Sequence, residues 1–363
     1  MNLLAYAGAG VALTILLGAA VAVTGLFVFS GADHSRYDSH AHPLTEKRAA
    51  ESDEHAALRE EILAEQSNPR PRLSNRELIT IMRKKLDERG AAMKINARVL
   101  PVTADGVDAE WVLAPNADPD RRILYLHGGA YVMGSAQSHR FMTGRLSEIS
   151  QSAVLAVNYR LMPEHSRMAG IEDCRKAYSW LIDNGPNGPA LVRALLVAGD
   201  SSGGNLALST IAYARDAGLR AAEAAVVMSP QTDATLSSPS LRSNVATDVM
   251  QGQSFGPIVQ APRLFSLWFS FLFTTGGINP RDPVVSPLLG DLAKLPPTLI
   301  QVSRAEMFLD DSVRYANKAK SQDSTVVLQT WPFALHVWQA FDVPEADEAY
   351  DEIERFLAEH VAP

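Results

Sequence analysis

Ten residues leave this chain little choice of geometry: Val197-Ala-Gly-Asp-Ser-Ser-Gly-Gly-Asn-Leu206. An apolar, strand-like run, Ala194 to Ala198, leads in, and a helical run to Asp216 leads out. The middle, Gly199-Asp200-Ser201-Ser202-Gly203, is G-x-S-x-G, the pattern of a strand-to-helix turn too sharp for side chains at its flanks. Glycine at both flanks lets the backbone close around one exposed residue, so Ser201 is expected to present a free hydroxyl. The following helix would aim its N-terminal amides at that spot, where they favour negative charge. The pattern alone is weak, and a glycine-rich turn with no chemistry would also produce it. The strand before it and the helix after it give it weight.

The surrounding chain supports the same architecture. Strand-like segments are expected at 97–101, 109–114, 122–126, 153–158, 194–198, 222–228, 298–302 and 325–330. Helical segments at 138–150, 171–183, 206–216, 313–319 and 345–360 alternate with the later ones. Such alternation implies an α/β fold with a mostly parallel sheet covered on both faces. Ligands then sit at the carboxyl ends of the strands. At 363 residues the chain can bury a large core. Its formal net charge of −8, with no dense basic stripe, argues against a nucleic-acid partner. The single cysteine, Cys174, excludes an intramolecular disulfide. No Cys/His spacing suggests a structural zinc site.

A serine hydroxyl needs a base to take its proton and donors to hold the oxyanion that forms. His127-Gly128-Gly129-Ala130 follows the apolar run 122–126, 74 residues before Ser201, and fits an oxyanion loop. Bare amides must approach a substrate closely there. Gly128 and Gly129 are the expected donors, with the Ser202 amide as a third; the plainer reading is a glycine turn after a strand. The base is expected late in the chain, after the last strand. His336, in Trp331-Pro-Phe-Ala-Leu-His336-Val-Trp338, is the only histidine between Ser201 and His360. A lone histidine among apolar residues is more often structural, but chain order lifts this one. The third member is expected after the preceding strand, where Glu306, Asp310 and Asp311 are candidates. Glu306 comes soonest, 30 residues before His336, and is preferred. Asp310 and Asp311 fit the start of a helix, where they favour its dipole.

These segments, with Tyr159-Arg-Leu-Met-Pro-Glu-His165, Asp282-Pro283 and Ser286-Pro287, resemble the hormone-sensitive-lipase-like branch of the α/β hydrolases. The resemblance runs from about residue 95 to 360. It implies the α/β-hydrolase fold, an eight-stranded sheet, and hydrolysis of carboxylic esters with no metal or cofactor. It also implies a helical cap, here 74–95 and 235–280, and makes Glu164, His165 and Asp200 architectural. Three positions depart from the pattern. Ala305 stands where many relatives carry the catalytic aspartate. Ser202 and Met162 each replace an alanine.

Ahead of the catalytic domain at 74–363 lie two further segments. Leu3 to Phe29 is a run of 27 residues without a charge, long enough to cross a bilayer as a helix. Residues 1–32 are therefore read as a transmembrane anchor or a signal peptide. Ser30-Gly31-Ala32 offers a cleavage site, but no Lys or Arg precedes the run, which exceeds a usual signal core. Arg36, Lys47 and Arg48 tilt orientation slightly toward a cytoplasmic catalytic domain. Residues 33–73 are read as a polar linker, with Glu46 to Gln66 a charged, solvated spacer helix ended by Asn68-Pro-Arg-Pro-Arg72. Ser74-Asn-Arg-Glu77 then reads as a capping box opening an amphipathic helix.

The expected reaction is hydrolysis of a small-molecule ester, of short to medium acyl chain, through an acyl-enzyme. Two alternatives remain: a ligand-binding protein on the same scaffold, and an amide hydrolase. Oligomeric state is open, a homodimer included.

Overall fold

The computed structural model describes residues 18, 21–39, 45–46, 50–67 and 73–362. One twisted sheet of nine strands carries the fold, in the order β1-β9-β8-β7-β6-β4-β5-β3-β2. The strands are β1 (Thr45–Glu46), β2 (Arg98–Ala104), β3 (Val107–Leu113), β4 (Asp118–Leu126), β5 (Ser152–Val157), β6 (Ala194–Asp200), β7 (Ala224–Met228), β8 (Thr298–Ser303) and β9 (Val326–Trp331). β3 runs antiparallel to both β2 and β5, and every other pairing is parallel. Eight strands match the expected sheet. The ninth, β1, is a two-residue edge strand on β9.

Alternation along the strands decides the two faces. Leu124, Leu126, Leu155, Val157, Val197, Val227 and Ile300 face one core. There they meet α4 (Arg167–Asp183), α5 (Ser201–Asp216) and α8 (Leu309–Ser321). Ile123, Tyr125, Val154, Leu196, Ala198, Val226 and Leu299 face the other, against α3 (Arg140–Ser150) and α9 (Pro344–His360). Successive residues of a strand point to opposite faces, so a parallel strand buried on both reads as an unbroken apolar run.

The polar stretch before the domain differs from a solvated spacer. Its helix α1 (Asp53–Ser67) lies on the α3/α9 face, with Leu58 and Ile62 packed against that core and His55 fully buried. Farther upstream, Arg314 of α8 is paired with Asp38, and Asn317 donates to the carbonyls of Tyr37 and Ser39 at 2.8 Å each. An apolar stripe too thin to bury a helix is supplemented here by polar contacts.

Most of the charge-free run and the proposed helix stop at 68–72 lie outside the described residues. Among the described residues no helix is long and apolar enough to cross a membrane. The expected transmembrane or signal helix over 1–32 falls mostly outside the described residues. Thr24–Val28 form a single π turn, and Phe29 is buried against Trp268 and Phe271 at ring distances of 5.0 and 4.4 Å.

Helices occupy both segments expected to form the cap. α2 (Asn75–Ala92) begins with the Ser74/Glu77 capping box. Its Arg83 donates to the carbonyls of Val132 and Met162 and to Glu164, tying α2 to the loop after β4. The second segment holds α6 (Gly252–Gln260), α7 (Arg263–Phe269) and a π turn at Ser270–Thr274.

Candidate active site

Ser201 stands between β6 and α5 with φ of +51°, a left-handed conformation that non-glycine residues rarely adopt. The turn needs glycine beside it: a Cβ on Gly203 would lie 2.0 Å from the carbonyl oxygen of Leu126. Strand β6 thus runs directly into a helix whose first amides surround the serine. Those amides have no intrahelical acceptor.

His336 lies on the loop after β9. Its Nε2 is 2.9 Å from Ser201 Oγ, and its Nδ1 is 2.5 Å from Glu306 Oε2. The other Glu306 oxygen accepts from the Ser303 amide at 2.7 Å and the Ser229 hydroxyl at 2.8 Å. Glu306 follows β8 and is almost completely buried. Burial opposes charge on the imidazole, yet the Glu306 carboxylate outweighs it and raises His336 above its usual value. Burial also raises Glu306, against the pull of His336.

The other two acid candidates are held elsewhere. Asp310 accepts from the Ser240 amide at 2.7 Å. Asp311 accepts from the amides of Thr232 and Asp233 and from the Ser238 hydroxyl. Burial and the neighbouring Asp233 push Asp311 up to about 7. It is Glu306, the residue after Ala305, whose carboxylate reaches the imidazole.

The loop after β4 departs from the sequence expectation at one residue. The Gly128 amide donates to Asp200 Oδ1 at 3.0 Å, so it is committed beneath the loop. Among the described residues, the amides of Gly129 and Ala130 have no acceptor. Gly129, Ala130 and Tyr131 all have positive φ, +117°, +53° and +64°. A Cβ on Gly129 would lie 2.2 Å from the Met133 carbonyl oxygen. The pair of unengaged amides is thus Gly129 and Ala130, one residue on from the expected Gly128 and Gly129. Two adjacent glycines look equivalent in sequence; only the position of Asp200 separates them.

Asp200 organises this floor. It also accepts from the Tyr125 hydroxyl at 2.6 Å, and His139 Nε2 lies 3.4 Å from its second oxygen. Burial opposes its ionisation, but His139 and Tyr125 hold the carboxyl below its usual value. His127 is stacked on Tyr159 at 4.3 Å, and burial with the nearby His139 lowers it to about 3. It is a neutral, structural ring. Glu164 pairs with Arg83, away from Ser201.

Ser229 was not anticipated. It donates to Glu306 and accepts from the Val337 amide at 3.3 Å, joining the acid to the histidine loop. Val337 has φ of +53°, a costly conformation for a β-branched residue. Strain of about 1–3 kcal/mol per such residue persists only where neighbours over-determine the backbone. Ser-Pro at 229–230 after a strand is the only local signal, and it reads as a turn.

Residues 123–340 match a family described as alpha/beta hydrolase fold. The chain belongs to this family. It is 35% identical to an acetyl-hydrolase of Streptomyces hygroscopicus over 70% of this chain and 81% of that protein. It is 33% identical to an esterase of Acinetobacter venetianus over 71% of this chain and 81% of that one. A solved esterase of the bacterial hormone-sensitive lipase family superposes with a TM-score of 0.74 at 32% identity. That comparison covers 86% of this chain and all of the other. The protein is a hormone-sensitive-lipase-like hydrolase, and carboxylic ester hydrolysis is its reaction class.

Proposed function

We propose that Ser201, His336 and Glu306 hydrolyse carboxylic esters through an acyl-enzyme. One observation carries this reading: the unbroken hydrogen-bonded line from Glu306 through His336 to Ser201, at 2.5 and 2.9 Å. Ser201 Oγ attacks the ester carbonyl while His336 Nε2 takes its proton. The Gly129, Ala130 and Ser202 amides hold the tetrahedral oxyanion. His336 then protonates the departing alcohol, and water repeats the cycle on the acyl-serine. Glu306 keeps the imidazole proton on Nδ1 and stabilises the imidazolium. No step calls for a metal or cofactor.

Short to medium acyl groups are the proposed substrates, and the acetyl-hydrolase relative supports the short end. Hydrolysis of p-nitrophenyl esters of increasing acyl length by wild type and Ser201→Ala tests both statements. Wild-type turnover peaking at short chains and lost in Ser201→Ala is expected. Turnover that survives Ser201→Ala refutes the assigned nucleophile. Ligand binding without any turnover would instead favour a non-catalytic scaffold, and cleavage of amides over esters an amidase.

The charge-free run Leu3–Phe29 is proposed as an uncleaved bilayer anchor. Phe29, 4% exposed, is built into the second cap segment, and cleavage at 30–32 would remove it. Trp268 Nε1 donates to the Val21 carbonyl at 3.2 Å, so the two segments adjoin. Phe27, Phe265 and Phe273 are exposed on them, as an apolar surface facing lipid would require. N-terminal sequencing of the membrane-extracted protein decides the matter. A mature terminus near residue 31–33 rejects the anchor.

A further inference from the structure

The histidine loop is held on a second side by residues far upstream of the catalytic domain's motifs. His55, the third residue of α1, has no exposed side-chain surface. Its Nε2 accepts from the Leu335 amide at 3.1 Å, across 280 residues of sequence. Accepting there leaves the ring proton on Nδ1, which lies 2.7 Å from Glu51 Oε1. Glu51 in turn receives Arg59 at 3.1 and 3.3 Å. The ring is therefore fixed in one tautomer, in the same order of carboxylate, imidazole and acceptor contact that orients His336.

Its backbone is fixed as well. Ser52 donates from both its amide and its hydroxyl to the buried Glu345 carboxylate, at 2.8 Å each, and Ser52 Oγ accepts the His55 amide at 3.1 Å. The helix start therefore cannot slide without breaking buried polar contacts. On the far side of His336, the Val337 amide is held by Ser229. The amides of the residues before and after His336 are thus each clamped by a side chain. His336 lies between the clamps, and the clamped Val337 is left-handed, a conformation that relaxes when its supports are removed. The Ser201–His336 distance depends on that backbone.

We propose that Glu51–His55 is a positioning device for the His336 loop, with His55 as the positioning residue that sets the imidazole against Ser201. The proposal rests on the roles of Ser201 and His336 given above. It predicts that losing the His55 acceptor for the Leu335 amide slows the chemical step and leaves ester binding nearly unchanged.

The test uses the full chain with p-nitrophenyl acetate, recording kcat, KM and thermal melting. His55→Leu keeps the bulk and removes the acceptor. His55→Gln places an amide oxygen where Nε2 stood. His55→Asn reaches only the Nδ1 position. Expected is a fall in kcat of about tenfold or more for the Leu and Asn variants, with KM within about twofold. The Gln variant should recover to within about threefold of wild type. Should His55→Leu fail to fold, the Gln and Asn pair carries the comparison. Equal kcat in the acceptor-retaining and acceptor-lacking variants, with Ser201→Ala inactive, overturns the positioning role alone. Wild-type turnover by Ser201→Ala overturns the assigned reaction and this proposal with it.

Discussion

Replacing Glu306 with glutamine gives the sharpest test of the acid assignment, because the surroundings dictate which way the new amide turns. One carboxylate oxygen accepts from the Ser303 amide and the Ser229 hydroxyl. Ser229 Oγ already accepts from Val337, so its own proton is directed at Glu306. An NH2 group placed there would meet two donors, at a cost of about 1–3 kcal/mol for each unsatisfied group. The glutamine oxygen must therefore keep that position, and its NH2 faces His336 Nδ1. Nδ1 becomes an acceptor, the ring proton moves to Nε2, and Nε2 can no longer take the proton from Ser201. A correctly shaped residue that enforces the wrong tautomer is known in serine proteases to lower kcat about 10⁴-fold. At 1.36 kcal/mol per tenfold, that is roughly 5.4 kcal/mol of barrier. For Glu306→Gln we expect a loss of about 10³–10⁴ in kcat, with KM and melting temperature little changed. The assay is steady-state hydrolysis of p-nitrophenyl acetate, with Asp310→Asn as the control that should stay within about threefold of wild type. A Glu306→Gln enzyme retaining a tenth of wild-type kcat refutes the reasoning, and a larger loss in Asp310→Asn transfers the role to Asp310.

Further outcomes follow from the same contacts. The base acts when neutral, and Glu306 raises His336 above the usual imidazole value of 6.5. Activity should thus fall as pH drops through a midpoint above 6.5, read from kcat/KM against pH; a midpoint below 6.5 contradicts the contact. Asp200→Asn weakens the charged support under Gly128 and should lower kcat about 10- to 100-fold, the loss of one or two hydrogen bonds to a charge. Unchanged kcat would free the oxyanion loop from Asp200. Gly203→Ala places a Cβ 2.0 Å from a backbone oxygen and should destabilise the fold by about 3 kcal/mol or more, seen by chemical denaturation. A wild-type midpoint there would mean the elbow is not as tight as described.

Where the sequence was readable, the constraint was local. The tight turn at Ser201 needs glycines within two or three positions, so G-x-S-x-G between a strand and a helix carries its own geometry. The alternation of apolar runs with helices was equally plain, since a parallel strand buried on both faces cannot hide among polar residues. Contacts between distant segments left weaker traces. Nothing local distinguishes Gly128 from Gly129; a carboxylate 72 residues away takes the first amide and leaves the second. Glu306 had two rivals within five residues, and the choice depended on where Ser229 and His336 lie in space.

The segment before the domain leaves a weak trace in the sequence for a different physical reason. Hydrophobic periodicity reports apolar burial, and α1 has little of it to report. Its attachment comes from His55, Ser52 and Gln66, which bond to Leu335, Glu345 and Val249. Polar residues read as solvated because most are, and a buried polar network carries no sequence period of its own. Such a network is costly to leave half-satisfied, so it holds a backbone in one place more strictly than an apolar patch of equal size. A loop that must keep an imidazole within hydrogen-bond reach of a serine while carrying a left-handed valine needs that kind of restraint. The part of the chain that looked most like a spacer is therefore where a positional requirement of the active site is met.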